Sequence, residues 1–153
     1  MAQAQVFIPT SANDATPRMT PGQTWTDDDG KEYKYVLVED MNLAVNNTVE
    51  YSDTSGYEVT KDRAGGASLG RAFAGVALGT VTDGQYGVVQ TKGVCTVTVP
   101  ANIAISAGDA LVNSPSSDGG VNAATTSTRA FAWGMALTGE TTSVATTVTA
   151  VIF

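Results

Sequence analysis

Any chemistry in this chain would have to start from a short inventory of side chains. Among its 153 residues there is no histidine, and Cys95 is the single cysteine. Without imidazole there is no His-activated nucleophile, no imidazole proton shuttle and no imidazole metal ligand. Cys95 lies in the run Val94-Cys95-Thr96-Val97-Thr98-Val99 on the parity of Val97 and Val99, with no basic neighbour in sequence to favour a thiolate. That context describes a small core residue. Asp27, Asp28 and Asp29 before Gly30 suggest a cation loop, but an EF-hand pattern needs a glutamate six residues beyond the glycine, where Val36 stands. The run reads as a solvated acidic turn. Glu39 and Asp40 are adjacent, so on a strand they point to opposite faces and cannot flank one substrate. Gly65-Gly66 lacks the Gly-Lys-Ser/Thr ending of a phosphate loop. The expectation is a protein that is not an enzyme, with no catalytic residues, no metal site and no cofactor.

What remains are groups suited to contact. Val6, Phe7 and Ile8 form one apolar patch in a polar N-terminus that also holds Pro9, Pro17 and Pro21. Residues 1–24 therefore read as an extended arm that lays this patch on a neighbouring subunit or on a larger partner; the alternative is a frayed terminus. Trp25 and Trp133 are candidates for interface anchors, since buried aromatics dominate binding hot spots; the alternative is a core position. Arg71 and Arg129 start two similar segments and could pair with carboxylates of the same or another subunit.

The elements that would position these groups are strands. In residues 71–100, five glycines would each weaken a helix by about 1 kcal/mol relative to alanine, and Asp83-Gly84 is a hairpin signal between Val76 with Leu78 and the following Val-rich run. Cys95, Val97 and Val99 alternate with Thr96 and Thr98, an apolar face backed by a hydroxyl face. A second hairpin is expected over residues 25–38, with the Asp27–Gly30 run as its turn. The terminal strand, with Val144, Val148, Ala150 and Ile152 on one parity, is expected at the edge of the fold.

The pattern repeats. Arg71-Ala72-Phe73-Ala74-Gly75-Val76-Ala77-Leu78 returns as Arg129-Ala130-Phe131-Ala132-Trp133-Gly134-Met135-Ala136-Leu137, with one inserted residue. Upstream, Val49-Glu50-Tyr51-Ser52 matches Leu111-Val112-Asn113-Ser114. The chain therefore reads as all-β: a small β-barrel or sandwich built from two tandem similar β modules, about 43–99 and 101–153. Together with the hairpin they form a single β domain over residues 25–153, preceded by the arm. Each copy alone is too small to bury a core, so they must pack together.

Charge narrows the partners. The net charge is −7, and residues 1–64 carry eleven carboxylates against five basic residues while residues 65–153 carry four against three. No basic cluster is available for phosphates, so nucleic acid is not an expected partner. No apolar run approaches 18 residues and the N-terminus has no cationic leader, so neither a membrane span nor a secretion signal is expected. The weakly charged second half, rich in Ala, Thr and Val, calls for cover by other subunits, and a homo-oligomer, a trimer first, is the expectation.

The run Ile105-Ser106-Ala107-Gly108-Asp109-Ala110-Leu111-Val112, then Asp118-Gly119-Gly120-Val121, then Phe131-Ala132-Trp133-Gly134-Met135-Ala136-Leu137 and a Val-rich end resembles the capsid decoration (cement) proteins of tailed bacteriophages. The first copy shares the pattern through Gly75-Val76-Ala77-Leu78, Asp83-Gly84 and Lys92-Gly93-Val94, with Asn47-Thr48 where the pattern has Gly-Asp. The resemblance covers about residues 40–153. It implies a protein made in the host cytoplasm that binds the virion's capsid exterior, bridges subunits of the major capsid protein and stabilises the shell. The binding residues would be Val6, Phe7, Ile8, Trp25, Arg71, Arg129 and Trp133. A rival reading is a virion-surface host-attachment or glycan-binding β module, with Trp25, Tyr33 and Tyr35 as its aromatic surface.

Overall fold

A computed structural model describes residues 12–62, 72–141 and 143–153 of the chain. The fold is all-β, and its centre is a closed five-stranded barrel. Strand β1 (Thr24–Thr26) pairs antiparallel with β2 (Glu32–Val38) around the acidic turn, as the hairpin signal predicts. From β2 the barrel runs through β4 (Glu58–Thr60), β3 (Thr48–Tyr51), β5 (Phe73–Ala77) and β6 (Tyr86–Val99), and β6 pairs back onto β2 to close the ring. The β2–β4 contact is parallel and the other four are antiparallel. A closed ring has no edges, which removes the liability of unpaired strand backbone.

Strand β6 is fourteen residues long and serves two sheets. Its first part, residues 86–92, pairs with β2; its second part, residues 93–99, pairs over seven residues with β12 (Thr146–Ile152). Beyond β12 the sheet continues through β10 (Gly134–Ala136), β8 (Ala110–Asn113) and β9 (Val121–Ala123). A short ribbon of β7 (Ala104–Ile105) and β11 (Glu140–Thr141) completes the second half. Strand β12 therefore lies between β6 and β10, not at the expected edge. Its Thr face, expected to mark an edge, is the outer face of an inner strand.

The two halves follow one path. The order β4-β3-β5-β6 in the first is matched by β9-β8-β10-β12 in the second, all antiparallel. Val49 stands opposite Gly75, and Leu111 stands opposite Gly134, the glycine at the same place in the second copy. Both glycines sit beneath a neighbouring strand: a Cβ on Gly75 would come within 2.8 Å of the Gln90 carbonyl oxygen, and on Gly134 within 2.5 Å of that of Val151. What differs is β2, which closes the first half and has no counterpart in the second.

Three apolar clusters follow from this layout. Val36, Val38, Val49, Val59 and Val89 fill the barrel together with Leu43 and Val81, which bridge to each other. Val97, Val99, Ile105, Leu111, Val121, Val148, Ala150 and Ile152 fill the second half, with Trp133 stacked on Phe73 at 4.2 Å between ring centroids. Tyr33 and Tyr35, on the outer face of β2, form the third cluster with Ala12 and Val88. Both parities of β2 thus carry buried apolar or aromatic residues, Val36 and Val38 on one and Tyr33 and Tyr35 on the other, because both faces are covered.

Two local expectations change. The β5–β6 connection is not a tight hairpin from Leu78: β5 ends at Ala77, Val81 leaves to bridge Leu43, and only the turn itself is as read, with Gln85 N–H donating to Thr82 O at 3.0 Å and Gly84 at φ +75°. The second copy of the repeat departs from the first, whose strand starts at Phe73: Arg129–Phe131 forms a 3₁₀ turn, and the strand begins at Gly134. The inserted Trp133 separates the two.

Candidate docking surface

The groups that could do chemistry are engaged elsewhere. Both carboxylate oxygens of Asp27 serve its own turn: Oδ1 accepts from the N–H groups of Asp29 and Lys31, and Oδ2 accepts from the Tyr33 hydroxyl at 2.7 Å. The Tyr33 hydrogen bond holds the Asp27 carboxyl below its usual range. Burial, helped by Asp27, pushes the Tyr33 phenol up to about 12. Cys95 is half-buried against the second-half core, and burial pushes its thiol up to about 12, far from a thiolate nucleophile at neutral pH.

The residues expected to make contacts are not brought to one place. Val6, Phe7, Ile8 and Arg71 lie outside the described residues. Trp133, expected as an interface anchor, is a core residue, 8% exposed, whose indole N–H donates to Asn113 Oδ1 at 3.0 Å. Asn113 in turn donates to Glu50 Oε1 at 2.7 Å, so this buried chain links the two halves. The parallel between copies concealed this role, because the insertion that adds Trp133 has no equivalent in the first copy. Arg129 is exposed on the 3₁₀ turn and makes no ion pair among the described residues. Trp25 is half-buried, stacked on Tyr33 at 6.0 Å, and its indole N–H is buried without a partner among the described residues. Tyr33 and Tyr35 are buried beneath the N-terminal segment, so this region offers no open aromatic platform for a sugar.

The arm, too, is corrected over residues 12–24. Asp14 forms an antiparallel bridge with Tyr86, and its carboxylate accepts from the Tyr35 hydroxyl at 2.9 Å and pairs with the Arg18 guanidinium. The Arg18 hydrogen bond is the main cause holding the Asp14 carboxyl below its usual range. Gly22 N–H donates to Tyr35 O at 2.7 Å, and Tyr35 N–H donates to Gln23 O at 2.9 Å. This stretch covers the outer face of β2 and belongs to the fold. The loop at residues 114–120 is likewise a joint: Thr48 donates to Gly119 O and Gly120 O, and Ser114 is fully buried.

The surface that is open lies where the barrel meets the second half. A groove of about 370 Å³ runs beside β6, walled by Val45 and Leu78 on one side and by Val94, Thr96 and Thr149 on the other, with Lys31 its one charged lining residue. Val45 is 51% and Val94 46% exposed. Beyond it, the outer face of β6, β12 and β10 carries Val94, Val151 and Met135 in one row and Thr96 opposite Thr149 in the next. Residues 93–108 and 141–153 contain no charged side chain. Val94 was legible as part of this face, since it shares the parity of Thr96 and Thr98; Val45 was not, because it sits in a loop.

No family model and no curated protein matches the sequence. Among solved structures, the fold is similar to one described as the crystal structure of the head fiber gp8.5 N base in bacteriophage phi29, with a TM-score of 0.52 and 20% identity over 79% of this chain and 92% of that chain.

Proposed function

We propose that this protein is a structural component of a bacteriophage virion that binds the outer surface of the capsid and stabilises it by bridging major capsid subunits. The observation that carries the reading is the fold shared with a head fiber base across nearly the whole of that chain. The uncharged face formed by residues 93–99 of β6 with β12 and β10 supports it, because an uncharged, partly apolar sheet face is suited to contact with neighbouring proteins. On this reading the protein catalyses no reaction, acts as a homotrimer and sits on the capsid exterior after synthesis in the host cytoplasm.

The test is cryo-electron microscopy of purified virus particles that encode the protein, with mass spectrometry of the same particles. The expected result is barrel-sized density outside the shell at a symmetric capsid position. Absence of the protein from particles, or density confined to the tail, would overturn the reading.

A further inference from the structure

The groove has a property that its lining residues alone do not reveal: one wall is an unpaired strand edge. In the β6–β12 ladder Thr96 stands opposite Thr149. The Thr149 carbonyl accepts from Leu137 N–H, and Thr149 N–H donates to the Thr138 hydroxyl, so both groups point toward β10. Thr96 and Thr149 are therefore a non-hydrogen-bonded pair, and the backbone groups of Thr96 point away from β12 into the groove. Two further contacts give the same direction. Thr98 N–H donates to Asn46 O at 3.1 Å on that side, and Val94 O accepts from the Gln90 side chain at 2.9 Å. Between these points, Thr96 N–H and C=O and Val94 N–H have no hydrogen-bond partner among the described residues.

An exposed edge invites another strand. Here it is recessed behind the loop that carries Val45 and Asn46 and behind Leu78, so a second sheet cannot approach edge to edge; one slender extended segment can. The groove also selects chemistry: apart from Lys31 its lining is uncharged, and Val45, Leu78 and Val94 offer apolar contacts. One stretch of this chain matches it. Residues 1–11, Met-Ala-Gln-Ala-Gln-Val-Phe-Ile-Pro-Thr-Ser, contain no charged side chain and carry the Val6-Phe7-Ile8 patch.

We infer that the groove receives the N-terminal segment of a second copy of this chain, which adds as a strand to the Val94–Thr96 edge and seats Val6, Phe7 and Ile8 against its walls. The path argues for a second copy. The bridge of Asp14 to Tyr86 sets Ala12 near Val88, six residues before Val94, and six strand residues span about 20 Å. Val6 is six residues before Ala12 and reaches at most about 22 Å, so the chain's own arm could come level with Val94 only by a straight run along β6. Leu78, whose N–H donates to Val88 O, and β5 stand along the intervening edge. The inference deepens the self-association part of the proposed function and rests on it, not on capsid binding.

The test uses the full chain without particles, so its failure and the failure of capsid binding are distinguishable. Phe7 is replaced by the photo-crosslinker p-benzoylphenylalanine in both unlabelled and ¹⁵N-labelled protein, the two are mixed and irradiated, and adducts are mapped by mass spectrometry. The expected adducts join the arm to residues 93–98 or to Val45 with mixed isotopes. Thr96→Pro should reduce them at least tenfold while keeping the β spectrum, because it deletes an N–H that the β6–β12 ladder does not use. If that variant does not fold, Val45→Asp on the exposed rim takes its place. Adducts within single chains only, adducts on another surface, no adducts, or adducts unaffected by the folded variant would each overturn the inference.

Discussion

Replacing Asn113 by alanine should loosen the two halves of the molecule together. Asn113 is buried, accepts from the Trp133 indole N–H at 3.0 Å and donates to Glu50 at 2.7 Å. The substitution leaves the indole donor, on a residue 8% exposed, without this acceptor, a penalty of about 1–3 kcal/mol. It also removes a hydrogen bond to a carboxylate, a loss of about 1.5–3 kcal/mol. A total near 3 kcal/mol is a large part of the roughly 5–15 kcal/mol that holds a domain together, and at this size it lowers Tm by about 6–12 °C. Trp133→Phe is the partner variant: it keeps a ring against Phe73 but deletes the N–H, and should cost about 1–2 kcal/mol. Because both variants break the same bond, the double variant should be less destabilised than the sum by at least about 1 kcal/mol. Urea titrations followed by circular dichroism and by tryptophan fluorescence measure all three. Asn113→Ala within about 0.5 kcal/mol of the parent, or strict additivity in the double variant, would refute the reasoning.

Three further outcomes are expected. The Asp14 carboxyl is held below its unfolded value of 3.8, so its contribution is present above that pH and is lost as pH falls through the lower folded value; Asp14→Asn should flatten the acid limb of a stability-versus-pH curve measured by thermal melts. Gly75→Ala and Gly134→Ala should each destabilise the protein by about 1–3 kcal/mol in denaturant titrations, since each places a methyl group against a neighbouring carbonyl oxygen. Deleting residues 1–11 should leave Tm within about 2 °C of the parent, whereas deleting 1–24 should lower it by about 6 °C or more, because the second deletion uncovers Tyr35 and removes the Asp14 and Gly22 contacts.

Much of the architecture was legible because β-strands write their faces into parity. The alternation of Cys95, Val97 and Val99 with Thr96 and Thr98 identified an inner and an outer face, and the structure keeps both. The Asp27–Gly30 turn was legible from composition, since Asp side chains close such turns on their own backbone. Partnership was harder to read. Nothing in Glu32–Val38 says that this strand pairs with both β4 and β6, which is what turns a sheet into a barrel. The central place of β12 was hidden for the same reason: chain order does not dictate sheet order. The contact surface was the least legible part. The residues that stand out in a sequence, Trp133 above all, are those the core recruits, while the groove is made by Val45, Val94 and a length of backbone that carries no sequence signal.

The fourteen-residue strand β6, about 45 Å long if fully extended, also determines how the molecule carries load. Tension applied at the N-terminal segment enters through the bridge of Asp14 to Tyr86, at the start of the strand; tension applied to the uncharged outer face enters through β12, at its other end. The two are joined by covalent backbone, not by a hinge between halves. Along the strand axis, the ladders to β2 and β12 are loaded in shear, so their hydrogen bonds share the force and must fail together instead of opening in sequence like a zip. A clamp of this kind yields little until it breaks.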